Sequence, residues 1–368
     1  MNRLTGPSGR FVPTRRLAIR SRQLAGAIGI LLVAASVASC GDDADESEEG
    51  SDERVVLVTY SAYELPPEVA DAFEDRTGTK IEVVKLDDAG TALSQVMLAS
   101  GEPEGDVFFG VDTTFLSKAQ ESDAFDEYEP DDLDDVPESV RMDDSGRFTP
   151  IDESTVCVDY DQGWFESKGL APPSDLAALA DPAYRDLLVV ENPALSSPGL
   201  AFLAATHATF DDATNDYWQR LKDNGVAVAA SWDDAWYARY SGAGGDRPLV
   251  VSYASSPPAE IVFADPPITE PISGVAESTC FRQVEFAAVL RGAANPEGAR
   301  ALIDEMLSTE WQSALPLSNF VFPVVPEAEL PEVFEQWAVR PAEPISIPAD
   351  EIGEHREEWI DAWRSIME

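Results

Sequence analysis

Between Arg54 and Gly110 the chain alternates between apolar runs of strand composition and amphipathic segments of helical period, and this alternation fixes the class of fold. "RVVLVTYSAY" reads as a strand ending in a polar and aromatic turn. In "PPEVADAFEDRTG", Val69, Ala72 and Phe73 recur at helical spacing and Gly78 supplies a stop. "KIEVVKL" is a second strand, "TALSQVMLASG" places Leu93, Val96 and Met97 on one helical face, and "DVFFG" is a third strand. Such alternation implies a parallel α/β sheet, whose ligands sit off the carboxyl ends of the strands. Tyr60, Ser61 and Tyr63, then Asp87 and Asp88, then Val111 and Asp112 follow the three strands. A cleft is therefore expected where they meet.

Residues 121–146 are acidic and proline-containing and read as a solvated excursion. From "STVCVDY" onward the pattern resumes as a second body. There "LVVENPALSSPGLAFL" runs from an apolar strand through a loop with two hydroxyls into a helix around Leu200–Thr209. Free N–H groups at that helix start can hold an anion. The loop equally suits a serine nucleophile or a plain helix cap. The aromatic stretch "SWDDAWYARYSG" follows, then expected strands in "PLVVSYASSPPAE" and "CFRQVEFAAVL". "PEGARALIDEMLSTEWQSAL" reads as helical from Pro296, and Ile352, Trp359, Trp363 and Ile366 mark a last helix. No internal repeat is visible.

The first 39 residues stand apart. Six arginines precede an apolar run from Leu24 to Ala38 that ends in "VASC", an export signal rather than a stable span. The ending resembles the bacterial lipoprotein signal, which implies that Cys40 is lipidated and anchors the protein to the outer face of the cytoplasmic membrane. "TRRLAI" also has twin-arginine character, so the export route stays open. "GDDADESEEGSDE" (41–53) has eight acidic residues and no large apolar one, and reads as a disordered tether. Cleavage takes six positive charges from a chain of net charge −44 and leaves −50. That charge excludes nucleic acid as a partner and favours a cationic ligand. Cys157 and Cys280 remain in the exported body, each in an expected strand, and are expected to be bridged.

Catalytic chemistry is hard to find. Of the two histidines, His207 lies in an apolar helix and His355 on the polar face of the last one. No G-x-S-x-G surrounds a serine, no Cys/His cluster has zinc spacing, and no glycine-rich phosphate loop occurs. With 69 acidic residues, a matching carboxylate pair distinguishes nothing. A binding protein is expected, with no cofactor and no metal.

"PALSSPGLAFL", "SWDDAWYARY", "LVVSYASSP", "QVEFAA", "SALPLSNFVFPV" and "HREEWIDAW" occur in this order. Together they resemble the thiamine-binding periplasmic proteins of ABC importers, within the class that also holds iron-binding proteins. The resemblance covers most of residues 55–366. It implies a two-lobe type II periplasmic-binding-protein fold with a hinge and a central cleft. Lobe one would comprise residues 54–150 and 284–325 and lobe two residues 151–283 and 326–368, with a separate sheet in each.

By position, the resemblance makes Tyr60 a ring that stacks on the ligand and Asp88 the acid near its aminopyrimidine. It makes Ser196, Ser197 and Gly199 the loop that receives a phosphate end. Trp232, Tyr253, Asn319 and Phe320 become further cage residues, and Asp112 ends a strand at the cleft. Two positions depart from the family: Ala259 stands where tyrosine is common, and Phe320 replaces a tryptophan. The implied ligand is thiamine or its phosphates, the implied partners are an ABC permease and ATPase, and a monomer is expected. The chemistry agrees, because a thiazolium cation gains roughly 0.5–2 kcal/mol over an aromatic face. On the residues alone Trp232 and Tyr253 also suit a lobe core, and Asp88 a helix cap. The rival ligands are a polyamine and ferric iron, although an iron site would want adjacent tyrosines and Tyr253 is followed by Ala254. An extracellular hydrolase using Ser196 or a carboxylate pair is the rival of another class.

Overall fold

The structure is a computed structural model that describes residues 54–368. The export signal, Cys40 and the tether lie outside the described residues. Three parallel strands, β1 (Arg54–Thr59), β2 (Lys80–Lys85) and β3 (Val107–Asp112), form the first half of the sheet in the order β2-β1-β3. Helices α1 (Pro67–Thr77), α2 (Ala89–Leu98) and α3 (Leu116–Gln120) connect or follow them. The long β4 (Thr149–Asp161) and α4 (Gln162–Lys168) lead into the second half. There β5 (Leu188–Glu191), α5 (Ser197–Phe210), α6 (Thr214–Asp223), β6 (Ala227–Ala229), β7 (Leu249–Tyr253) and α7 (Ser256–Phe263) succeed one another. The second half repeats the arrangement of the first, as β6-β5-β7.

β8 (Ser273–Val289) is antiparallel to β3, while β4 is antiparallel to β7, and β4 and β8 pair with each other. Hydrogen bonding is therefore continuous from β2 to β6, and the expectation of a separate sheet in each lobe is corrected. The reason is length. β8 has 17 residues and β4 has 13, enough for each to serve both halves. At their crossing the register jumps from Val156↔Phe281 to Val158↔Ala276. The Thr279 hydroxyl accepts from the Val158 N–H (2.8 Å), and Cys157 is bonded to Cys280 with their Cα atoms 4.1 Å apart.

The chain closes with α8 (Pro296–Met306), α9 (Thr309–Ser318), the short β9 (Phe322–Pro323) on β4, α10 (Glu332–Trp337) and α11 (Ala349–Met367). Two readings of the sequence need correction here. "PLVVSYASSPPAE" is strand only to Tyr253, because Pro257 and Pro258 cannot donate to a ladder but suit the first turn of α7. "PEGARALIDEMLSTEWQSAL" is two helices, since Ser308 caps α9 by accepting from the Trp311 N–H (3.1 Å). The acidic excursion is also less solvated than its charge suggests: Phe125, Val136 and Val140 are buried, and Phe125 packs edge-on against Phe148 at 5.0 Å.

α11 touches both halves. Trp363 meets Trp218 of α6 edge-to-face at 6.0 Å, while Ser117 of α3 donates to the Ala349 carbonyl (2.6 Å). The cross-link at the β4–β8 crossing closes a loop over a separation of 123 residues. Its reduction is expected to cost roughly 2–4 kcal/mol of stability. Thiol titration of the unfolded, unreduced protein should find neither Cys157 nor Cys280; two reactive thiols there would refute the bridge.

Candidate ligand-binding cleft

A cleft of about 520 Å³ opens where the carboxyl ends of the parallel strands converge. The chain leaving β1 brings Tyr60, that leaving β2 brings Asp88, that leaving β6 brings Trp232, and β7 ends on Tyr253. Two three-stranded parallel units thus aim the same ends at one space, where such folds bind ligands.

The walls are aromatic. Tyr60 lies against β3, 6.0 Å from the Phe109 ring. Gly110 makes this approach feasible, because its φ is +129° and a Cβ there would lie 2.9 Å from the Tyr60 ring. Trp232 stacks on Trp236 (5.8 Å, 16°), stands 6.4 Å from Tyr253, and donates its indole N–H to Ser252 Oγ (2.9 Å). Phe320 follows the α9 C-terminus and meets Phe263 of α7 edge-on at 5.4 Å. Asn319 exchanges two 2.9 Å hydrogen bonds with the Glu64 backbone, pinning the loop after β1 to the end of α9.

A row of buried carboxylates runs under the cleft, and of it Glu285 alone reaches the floor. Asp112, Glu285 and Asp152 face one another in register across β3, β8 and β4, and all three are buried. Tyr60 donates its hydroxyl to Glu285 (3.2 Å). Burial, reinforced by the neighbouring charge of Asp112, holds the Glu285 carboxyl well above its usual range; burial and the charge of Glu285 do the same to Asp152. Such a pair keeps a proton at neutral pH. Asp112 accepts from the hydroxyls of Thr114 and Ser197, and Gln283 donates to the same Ser197 hydroxyl (2.5 Å). Glu191 is buried with neither side-chain oxygen partnered, and burial pushes its pKa up as well.

Asp88 is the group that spans the cleft. It stands at the N-cap of α2 but makes no side-chain cap bond there. Its two oxygens instead accept from the backbone N–H groups of Ser197 (3.3 Å) and Trp232 (3.2 Å) in the other half. Burial raises its pKa to about 6, against the opposing pull of those two N–H donors. The start of α2 sits close enough to the opposite loop that a Cβ on Gly90 would lie 2.8 Å from the Leu195 carbonyl oxygen.

Of the residues expected from sequence, Tyr60, Asp88, Ser197, Trp232, Tyr253, Asn319 and Phe320 line the cleft, as does Ala259. Asp112, Ser196 and Gly199 do not: Asp112 lies beneath the floor, Ser196 is fully buried, and Gly199 packs against the Glu191 backbone. Sequence reasoning missed Glu285, Glu64, Asp233, Glu260, Trp236, Tyr237 and Phe263, which also line it. Glu285 had a legible signal, as the one acid in the otherwise apolar run "VEFAAVL".

Two halves of like topology, joined by crossing strands over one cleft, define a two-lobe solute-binding protein. The chain belongs to the family of bacterial extracellular solute-binding proteins, whose model matches residues 103–341. It is 27% identical over 320 residues to a thiamine-binding periplasmic protein of Salmonella typhimurium, covering 85% of this chain and 93% of that one. The corresponding Escherichia coli protein is 26% identical over 318 residues, with the same two coverages. Among solved structures, a periplasmic thiamin binding protein superposes with a TM-score of 0.76 at 24% identity, covering 86% of this chain and 96% of that one. The ferric binding protein from Campylobacter jejuni superposes at 0.69 with 17% identity, covering 85% and 99%.

The raised carboxyls give stability a direction with pH. A carboxyl whose folded pKa is raised contributes stability that is fully present below the usual carboxylate range, about pH 4, and lost as pH climbs through the folded value. For Asp88 that value is about 6, and Glu285, Asp152 and Glu191 act in the same sense. His207, lowered to about 4 by burial and by His355, opposes them as pH falls from about 6.5. The unliganded protein should therefore melt about 3 °C or more higher near pH 5 than near pH 8. Calorimetric scans check this, and a higher melting temperature near pH 8 would overturn the raised pKa values of these buried carboxyls.

Proposed function

We propose that this protein is an exported, lipid-anchored receptor that captures thiamine in the cleft and delivers it to an ABC permease and ATPase, without catalysis of its own. The observation that carries the reading is the lining itself. Glu64, Asp88, Asp233, Glu260 and Glu285 join Tyr60, Trp232, Trp236, Tyr237 and Tyr253, and none of the lining residues is lysine, arginine or histidine. A flat organic cation suits such a site: rings face its charge, and carboxylates accept from its amino group. The curated relatives named for thiamine support that choice of cation. Lobes of 54–150 with 284–325 and 151–283 with 326–368 would close on it by bending at the β4–β8 crossing, with Tyr60, Asp88, Ser197, Trp232, Tyr253, Asn319 and Phe320 as the contacts. Asp112, Ser196 and Gly199 would support them from behind.

Two outcomes are expected. Titration calorimetry should give saturable one-to-one binding of thiamine, with spermidine and Fe³⁺ bound far more weakly. Because the cation ionises carboxyls that hold a proton in the free protein, binding should release protons and tighten as pH rises from about 5 to about 8. Equal or tighter binding of spermidine or iron would reassign the ligand. Trp232→Ala should weaken thiamine binding at least tenfold, about 1.4 kcal/mol. Its effect on the unliganded melting temperature should be small beside that of Trp218→Ala, since Trp218 is fully buried. Unchanged affinity with a large loss of stability would make Trp232 a packing residue only.

A further inference from the structure

We propose, on the reading of the cleft as a thiamine site between two lobes, that the Cys157–Cys280 bond positions the ligand cage. It acts as a pin at the crossing of β4 and β8, so that the two halves return to one arrangement of the cage each time they close. Val156 pairs with Phe281 and Val158 with Ala276, so residues 277–280 of β8 lie opposite Cys157 alone. This surplus is looped out, with Glu277 and Ser278 exposed. Thr279 closes the loop by donating to the Ala276 carbonyl (2.7 Å) while accepting from the Val158 N–H (2.8 Å). Extra residues on one strand interrupt the ladder, and backbone bonds alone then hold the two strands less firmly. To one side of the break β8 goes on to pair with β3, and to the other β4 pairs with β7. The break is therefore the place at which one half can shift against the other.

Packing at the crossing is thin. Cys157, Ala254 and Cys280 are fully buried, but they form a small apolar cluster apart from the main core, with Val275 and Val339 against it. Side chains this small supply little burial, which leaves the covalent bond as the firmest tie between the strands there. Cage residues stand on both of its ends. Cys157 is in register with Ser252 and Val156 with Tyr253, and Ser252 in turn holds the Trp232 indole N–H (2.9 Å). Beyond Cys280, β8 carries Gln283 to the Ser197 hydroxyl (2.5 Å) and Glu285 to the Tyr60 hydroxyl (3.2 Å). The chain between α10 and α11 is tied in as well, since Ile345 donates to the Cys280 carbonyl (2.8 Å) and Val339 to the Ala254 carbonyl (2.9 Å). Without the bond the free protein would sample more placements of its halves, and a smaller fraction of them would be competent to bind. Affinity would then fall although every contact to the ligand remained, because more ordering would accompany binding.

The test compares the full chain with its Cys157→Ala/Cys280→Ala variant and with Val69→Ala, a substitution at a fully buried residue of α1 that does not line the cleft. Thiamine affinity and dissociation rate are measured at a temperature where thermal scans show all three proteins folded. The double alanine variant should bind thiamine at least fivefold more weakly and release it faster. Val69→Ala should lose stability yet keep the wild-type affinity and rate. Unchanged affinity in the double variant would overturn the proposal and leave the bond a stabiliser only. Equal weakening in Val69→Ala would overturn it too, because affinity would then simply follow stability. If the double variant does not fold, amide exchange of the unliganded wild-type protein decides. The N–H groups of Val158, Ala254 and Ile345 at the crossing should be as protected as those of β1, and fast exchange there would overturn the pin. Failure of the wild-type protein to bind thiamine would instead overturn the reading of the ligand, with the exchange pattern still deciding the pin.

Discussion

The pairing of β4 with β8 is the interaction on which the rest of this structure depends. Each strand is longer than its half of the sheet requires, and each is antiparallel to the last parallel strand of one half, β8 to β3 and β4 to β7. They join two units of the same strand order so that the carboxyl ends of both face one space. Without that pairing there would be two small α/β bodies, each with polar strand ends open to water. With it there is a cleft. The register jump opposite Cys157, the Thr279 hydroxyl on the Val158 N–H and the cross-link to Cys280 all fall at this crossing, where the ladder is interrupted.

Burial of acids follows from the same geometry. β3, β8 and β4 are neighbours, so residues in register on them share one environment, and Asp112, Glu285 and Asp152 are in register. Three ionised carboxylates could not remain there together; protonation, the Tyr60 hydroxyl and the Ser197 and Thr114 hydroxyls keep the row tolerable. An arrangement that costs stability when empty is well matched to a cation, which supplies the missing counter-charge. Net acidity of the chain and local acidity of the cleft therefore act at different ranges. The first biases which solutes approach, and the second decides which remain.

Asp88 illustrates how one side chain can tie the two halves together. By position it is a helix cap, a role in which it would bond only to its own helix. Its carboxylate instead reaches the opposing half, where it accepts from the first N–H of α5 and from the Trp232 N–H. Nothing in "KLDDAG" announces this. The helix start that Asp88 meets lies 109 residues further along the chain.

The sequence by itself determined the alternation of strands and helices and the placement of polar and aromatic residues at strand ends. Both are local properties: periodicity and composition within about ten residues choose helix or strand, and strand ends lie where the apolar run stops. That is why Tyr60 and Asp88 were legible at a cleft, each following an apolar run. The family resemblance added Ser197, Trp232, Tyr253, Asn319 and Phe320. Tertiary structure decided what distance along the chain conceals. It joined the two halves into one sheet, set Asp112 beneath the floor rather than in the cleft, and brought Glu285 into it from the middle of a strand. It also gave the Ser197 N–H and hydroxyl of the "ALSSPGL" loop to carboxylates of the first half. A loop that offers N–H groups to an anion looks the same in sequence whether that anion is a ligand or the chain's own aspartate. Only the packing of one half against the other determines which of them arrives.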